Sequence, residues 1–341
     1  MVTIALGTAQ IGGLRRRIER DEAFKIFDAA WEEGIRHFDT AALYGAGRAE
    51  ILLGEWIISR GIPRNEIFVT TKIARHLVTP DADHPFVSLG FVGGNQMNQI
   101  LDYSYLGAMR QIEKGLARLQ LDYVDALLLH DIDPQNHGEQ YKTLLLQAMH
   151  GTYDVLQRCK EHGIALSIGL GVNNFEPFDD FFNKKLKLDC GVLAGRYTLL
   201  EQGALPTLHR AAQAGINIFL AGNLNSGLLA GRPIYNYRQA TDDEHAQAAR
   251  IQQVCDDQGV AMGAAALQFA AAGPAVTRIV IGPDSVDELR TNLEWARTPI
   301  RPSFWPALKR EGIIDNQAPV PSDEGLKGEQ RWLSKWFSNL G

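Results

Sequence analysis

Four residues whose chemistry is proton transfer sit where apolar runs of the chain end. Asp39 follows "IRHF", Tyr44 lies shortly after it in "TAALYGAG", Lys72 closes "IFVTTK" and His130 closes "DALLLH". A free tyrosine titrates near 10 and is a poor base around neutrality. A lysine ammonium close to its oxygen favours the phenolate, and a carboxylate keeps that lysine charged and oriented. Lowering the phenol by about 2 units takes about 3 kcal/mol of differential stabilisation, which one partly buried ion can supply. His130 can hydrogen-bond the same substrate oxygen and fix its position. Such a set moves a proton on or off a carbonyl or alcohol oxygen. It holds no nucleophile, so its natural partner is hydride transfer with a bound cofactor. Singly, each residue has a structural explanation: a loop cap for Asp39, a surface charge for Lys72, packed rings for Tyr44 and His130. Their convergence on one rim is what singles them out.

That convergence depends on the elements around them. Short apolar, β-branched runs at 4–6, 35–38, 67–70, 124–129, 166–169, 191–193, 216–220 and 279–281 alternate with helical patterns, the signature of parallel βα units. In "YLGAMRQIEKGLARLQ", Leu106, Met109, Ile112, Leu116 and Leu119 recur at spacings of three and four, predicting one apolar helix face. "EEGI", "EHGI" and "QAGI" each end a helix on glycine and enter a strand. Eight such repeats, no linker, and no G-x-G-x-x-G after the first strand favour a closed (β/α)8 TIM barrel over a doubly wound sheet. Asp39, Tyr44, Lys72 and His130 then lie at the C-terminal rim of consecutive strands. The expectation is one barrel domain, about 1–296, with a long loop at 75–103 after the third strand. An extension at 297–341, carrying Trp305, Trp332 and Trp336, is expected to pack on the barrel.

The 341 residues are 45% hydrophobic, enough for one large core, and 34 Lys and Arg stand against 40 Asp and Glu. The basic stretches Arg15-Arg16-Arg17 and Lys184-Lys185-x-Lys187 are too short for a nucleic-acid face. Cys159, Cys190 and Cys255 are odd in number and widely spaced, which suits a reducing compartment rather than a disulfide scaffold. The start has no signal-peptide pattern and no apolar run is long enough to span a membrane. A cytoplasmic enzyme acting on a small molecule, as a monomer or small homo-oligomer, is expected. "HDIDPQNH" brings His130, Asp131, Asp133 and His137 together, but its irregular spacing around Pro134 reads as loop shaping, and no metal is expected.

"FDTAALYGAGRAEILLG", "VTTK", "LDYVDALLLHDID" and "GLGVNNF" together resemble the aldo-keto reductases, from Leu6 to about Asn292. The resemblance implies a barrel that binds a nicotinamide cofactor without a Rossmann domain. It also implies a tetrad of Asp39, Tyr44, Lys72 and His130, with Tyr44 as the acid–base residue. "AMHGTYDVLQRCKEHG" and "LAGRYTLLEQGAL" are similar to the aldose 1-dehydrogenase branch, which includes L-fucose, D-threo-aldose and L-galactose dehydrogenases and a pyridoxal 4-dehydrogenase. That likeness implies oxidation of a cyclic hemiacetal, the anomeric hydroxyl of an aldose or pyridoxal. An NADP-dependent carbonyl reductase and a non-catalytic cofactor-binding subunit are the rival readings.

By the same resemblance, Asn173 and Asn174 of "GVNNF" bind the nicotinamide amide. "AGNLNSGLLAG" is the pyrophosphate loop, with Gly222, Leu224, Asn225, Ser226 and Gly227 approaching phosphate. Ala221 stands where many members carry a ring under the nicotinamide, a face Tyr197 could cover instead. In "IGPDSVDELRTN", Gly282 and Glu288 occupy positions of a lysine and an arginine that hold the 2′-phosphate of NADP, with Asp284 nearby and Asn292 further along. Acids there should repel that phosphate, so NAD is expected, with NADP possible. Phe86, Phe91, Tyr103, Phe304 and Trp305 are core or lid residues that could also line the substrate pocket.

Overall fold

The computed structural model describes residues 3–321. Eight parallel strands close into a barrel: β1 Ile4–Gly7, β2 His37–Asp39, β3 Phe68–Ile73, β4 Val124–His130, β5 Ala165–Val172, β6 Cys190–Ala194, β7 Asn217–Ala221 and β8 Val276–Ile281. Each pairs with its neighbours in chain order, and β8 returns to β1 through the Ile4–Ile279 and Leu6–Ile281 partners. All eight runs expected from the sequence are barrel strands.

The pleat decides which side chains look inward, because alternate residues face opposite sides of a strand. Ala5, Phe68, Ala126, Leu128, Cys190, Val192, Phe219 and Val280 fill the barrel interior as a separate apolar cluster. Counting by twos from these places Lys72 on the inward row of Phe68 and Thr70, and His130 on that of Ala126 and Leu128. Asp39 lies two residues beyond His37, whose ring is 4.5 Å from Phe68 and 4.8 Å from Phe219. Three of the candidate site side chains, Asp39, Lys72 and His130, are thus the top residues of interior rows. The outward rows pack against the helices in a larger cluster.

The glycines of "EEGI", "EHGI" and "QAGI" have φ of +86°, +72° and +70°, with open space around each. Backbone conformation, not crowding, therefore demands glycine there.

Two expectations change. The helix Tyr105–Leu119 forms, capped by the Ser104 side chain, but Leu106 and Met109 are exposed. Its buried side is Ala108, Gln111, Ile112, Gly115 and Leu119. Gln111 is buried because it accepts from the Ala74 N–H and donates to the Asp102 carbonyl, tying the helix to the chain leaving β3. The 75–103 stretch is not all loop: Arg75–Val78 and Asn98–Leu101 pair as an antiparallel hairpin.

Beyond the last barrel helix, Val286–Arg297, the helix Phe304–Arg310 buries Phe304 and Trp305 in the main core. Gln202 fastens the chain after this helix, donating to the Ile313 carbonyl and accepting from the Asp315 N–H. Trp332 and Trp336 lie outside the described residues. Among the described residues no helix is long and apolar enough to cross a membrane.

Candidate active site

At the C-terminal rim, Lys72 Nζ donates to Asp39 Oδ2 at 2.8 Å, to the Thr40 carbonyl at 2.8 Å and to the Tyr44 hydroxyl at 3.1 Å. Its three protons are thereby all directed. The Lys72 and Asp39 side chains are 1% and 3% exposed, so the pair is shielded from screening by solvent. Gly171 on β5 leaves room for this lysine, since a Cβ there would lie 3.0 Å from Lys72 Cδ. The Tyr44 and His130 rings stand edge to face, 6.2 Å between centroids.

A close approach of two backbones positions Tyr44. Gly45 has φ of +66°, and a Cβ on Gly12 would lie 2.6 Å from the Tyr44 carbonyl carbon. The chain after β1 therefore lies directly against the Tyr44 loop.

The electrostatics depart from expectation. Burial, with the Asp39 carboxylate second, pushes the Tyr44 phenol well above its ordinary value rather than below it. Burial also raises Asp39, although Lys72 opposes it. Burial pushes His130 down to about 3, so its ring is neutral. His130 Nδ1 is buried without a partner among the described residues, while Nε2 lies 3.6 Å from Asp131 Oδ1. That arrangement favours the tautomer with its proton on Nε2. The rim thus presents two neutral donors, the Tyr44 O–H and His130 Nε2–H, with an ammonium behind the phenol.

The expected cofactor residues divide. Asn174 Oδ1 is buried with no partner among the described residues, an orphan acceptor suited to the amide N–H of a nicotinamide. Asn173 Nδ2 reaches Asp131 Oδ1 at 3.3 Å, and its carbonyl accepts from Arg196 Nε at 2.6 Å. After β7, Gly222, Asn225, Ser226 and Gly227 all have positive φ, from +46° to +114°. Such a turn can present successive N–H groups to one side, as an anion cradle requires. Leu224 lies in this loop packed on the core, and Asn225 is buried, its side chain bonded to Asn236. These residues fit a nicotinamide dinucleotide.

Tyr197 does not join them. Its ring is fully buried and stacked on Phe269 at 5.0 Å. A Cβ on Gly273 would sit 2.7 Å from the same ring, so the aromatic is part of the wall. Phe304 and Trp305 are likewise core, and Tyr103 is buried with its hydroxyl 2.7 Å from His137 Nε2. Asp133 accepts from the Asn136 N–H and caps the short helix there. Of the candidate pocket aromatics, Phe91 lies beside the site, its ring 6.1 Å from Tyr44. Phe86 is exposed.

At the far end, Glu288 is not the free acid the sequence suggests, and Asp284 is engaged through its backbone. Arg232 Nη2 pairs with Glu288 Oε1 at 3.0 Å, while Glu288 Oε2 accepts from the Asp284 N–H at 2.8 Å. Arg16 donates to the Asp284 carbonyl and is held by Glu22 at 2.7 Å. Two of the cations near this end, Arg16 and Arg232, are already engaged. Sequence alone does not reveal them, because the partners are far apart along the chain. Gly282 is exposed and Asn292 is buried on the Val286–Arg297 helix.

Comparison with known proteins agrees with this geometry. The aldo/keto reductase family pattern matches residues 3–311. The chain is 33% identical to pyridoxal 4-dehydrogenase of Microbacterium luteolum, covering 92% of this chain and 95% of the relative. It is 32% identical to D-threo-aldose 1-dehydrogenase of a Pseudomonas species, covering 91% and 94%. A holo aldo-keto reductase structure from Bacillus halodurans superposes with a TM-score of 0.71 at 19% identity, over 94% of both chains, a likeness of fold.

Proposed function

Because the chain belongs to the aldo/keto reductase family and is an oxidoreductase, we propose that it oxidises a cyclic hemiacetal to the lactone, with NAD as acceptor and Tyr44 as the general acid–base. The observation that carries the reading is the Tyr44 hydroxyl held by Lys72 and faced by neutral His130. Two relatives above 30% identity, one named for an aldose and one for pyridoxal, supply the substrate class. Both compounds form cyclic hemiacetals. The aldose reading, of L-fucose, L-galactose or D-threo-aldose type, is the first choice, and the near-equal identity to the pyridoxal enzyme supports pyridoxal as the second.

A nicotinamide cofactor would supply the acceptor for the hydride leaving the hemiacetal carbon; Asn174 and Asn173 would hold its amide, and the 222–227 turn its phosphates. His130 Nε2–H bonds the substrate hydroxyl oxygen and fixes it against Tyr44. Tyr44 takes the hydroxyl proton, and Lys72, anchored by Asp39 and the Thr40 carbonyl, stabilises the phenolate needed for that step. In the reverse direction the neutral phenol donates its proton to the carbonyl oxygen, the role its raised pKa favours.

The NAD preference rests on engaged cations: Glu288 occupies Arg232 and Glu22 occupies Arg16. A 2′-phosphate would have to displace a carboxylate to be bound, whereas ribose hydroxyls can bond to Glu288 directly. The test is NADH and NADPH formation with L-fucose, L-galactose, D-arabinose and pyridoxal, with the product identified as the lactone. Reduction of simple aldehydes by NADPH, with none of these four compounds oxidised, would sink the proposal.

A further inference from the structure

Asp131 faces His130 but takes no direct part in the proton-transfer scheme. It comes directly after His130, where β4 ends, with φ of +53°. A non-glycine residue in the left-handed region costs about 1–2 kcal/mol and persists where its surroundings over-determine it. Here they do. The Asp131 N–H donates to the Gly171 carbonyl at 2.9 Å, and its own carbonyl accepts from the Tyr103 hydroxyl at 3.2 Å. Arg75, on the hairpin leaving β3, grips Oδ2 through Nη2 at 2.7 Å and Nε at 3.1 Å. The carboxylate is 5% exposed.

One oxygen is thus fixed by Arg75, and the other is aimed. Oδ1 accepts from Asn173 Nδ2 at 3.3 Å and lies 3.6 Å from His130 Nε2, too long for a hydrogen bond, so this carboxylate oxygen keeps further acceptor capacity. It sits between the nitrogen that bonds the reacting oxygen and the side chain assigned to the cofactor amide. An aliphatic aldehyde has nothing to offer such an acceptor. A substrate with a hydroxyl beside its reacting carbon does, because that O–H falls close to the reacting oxygen's position.

We propose that Asp131 is a substrate-recognition residue whose Oδ1 accepts the hydroxyl on the carbon next to the reacting carbon, with Arg75 holding the carboxylate in place. The enzyme then selects 2-hydroxylated carbonyl compounds and their hemiacetals over deoxy analogues. This deepens the proposed function toward its aldose reading, since pyridoxal carries no hydroxyl on the carbon next to its reacting carbon, and it rests on the placement of the reacting oxygen between Tyr44 and His130.

The test compares lactaldehyde with propanal, which differ by that single hydroxyl, in reduction with NADH or NADPH by the wild type and by Asp131→Asn. Asparagine keeps the shape and tolerates left-handed backbone, so melting temperature and cofactor binding serve as controls on folding. The wild type should favour lactaldehyde by about 10–100-fold in kcat/KM, the range of a hydrogen bond to a charged group. In Asp131→Asn the ratio should fall to within about threefold of unity through a raised KM for lactaldehyde, on top of whatever change the lost charge beside His130 imposes on both aldehydes alike. A wild type that treats the two aldehydes alike or fails to use lactaldehyde overturns the proposal. So does a ratio that survives the substitution, as in an equal loss on both aldehydes, which marks a structural role. If lactaldehyde selectivity depends on Asp131 while no aldose or pyridoxal is oxidised, the hemiacetal reading fails and this assignment stands.

Discussion

Replacing Lys72 by methionine removes the charge behind the phenol while keeping most of the side-chain volume. At 3.1 Å from the Tyr44 oxygen, a unit charge stabilises a phenolate by about 5 kcal/mol with an effective dielectric of about 20. At about 1.4 kcal/mol per tenfold, that is a rate loss of roughly 10³–10⁴ for oxidation. The substitution also leaves the Asp39 carboxylate buried without its cation, a loss of about 3–5 kcal/mol in stability. The two effects separate in Lys72→Met/Asp39→Asn, which removes both charges. The double variant should recover most of the melting temperature lost by the single one and none of the activity. Thermal unfolding and kcat/KM on all three proteins make the assay. Activity of the single variant within about tenfold of wild type, or its return with stability in the double variant, would refute the electrostatic role of Lys72.

The raised phenol sets the pH dependence: the phenolate fraction grows as pH rises toward the shifted value, so oxidation should climb without a plateau between about pH 7 and 10. A plateau by about pH 8 would show that the phenol titrates below its ordinary value. Glu288→Ala frees Arg232 and should raise kcat/KM for NADP relative to NAD by about tenfold; an unchanged ratio would remove Glu288 from cofactor selection. Gly12→Ala forces a methyl against the Tyr44 backbone and should cost about 1–3 kcal/mol of stability, with kcat falling as Tyr44 shifts. Unaltered kcat would show that the Gly12 contact does not position the phenol.

The barrel and the tetrad are legible in the sequence because they obey local rules. Apolar runs mark the strands, and a period of two carries Phe68 to Lys72 and Ala126 to His130, so the chemistry is written at the strand ends. Features set by distant partners are not legible in this way. Helical spacing implies burial of Leu106 and Met109, but the helix is rotated by the buried Gln111, whose hydrogen bonds to Ala74 and Asp102 no periodicity reveals. Tyr197 comes after a strand as a cofactor-stacking ring would, yet Phe269 on the helix Met262–Ala271 and Gly273 in the turn after it enclose it from far along the chain. Glu288 reads as an unpaired acid because Arg232 reaches it only in the folded barrel. Asp131 reads as loop chemistry after His130, and only its backbone angle and Arg75 show it aimed at the site. The sign of the Tyr44 shift is misread from sequence because Lys72 is visible there and burial is not.

The most direct measurement is Tyr44→Phe under single-turnover conditions with a hemiacetal substrate and NAD. Phenylalanine keeps the ring and removes the oxygen that Lys72 and the substrate share. Oxidation should fall by about 10²–10⁴-fold, the range for loss of a general acid–base group, while NAD binding and melting temperature stay close to those of the wild type. Turnover retained within about threefold, with cofactor bound and the fold intact, would contradict Tyr44 as the proton-transfer residue.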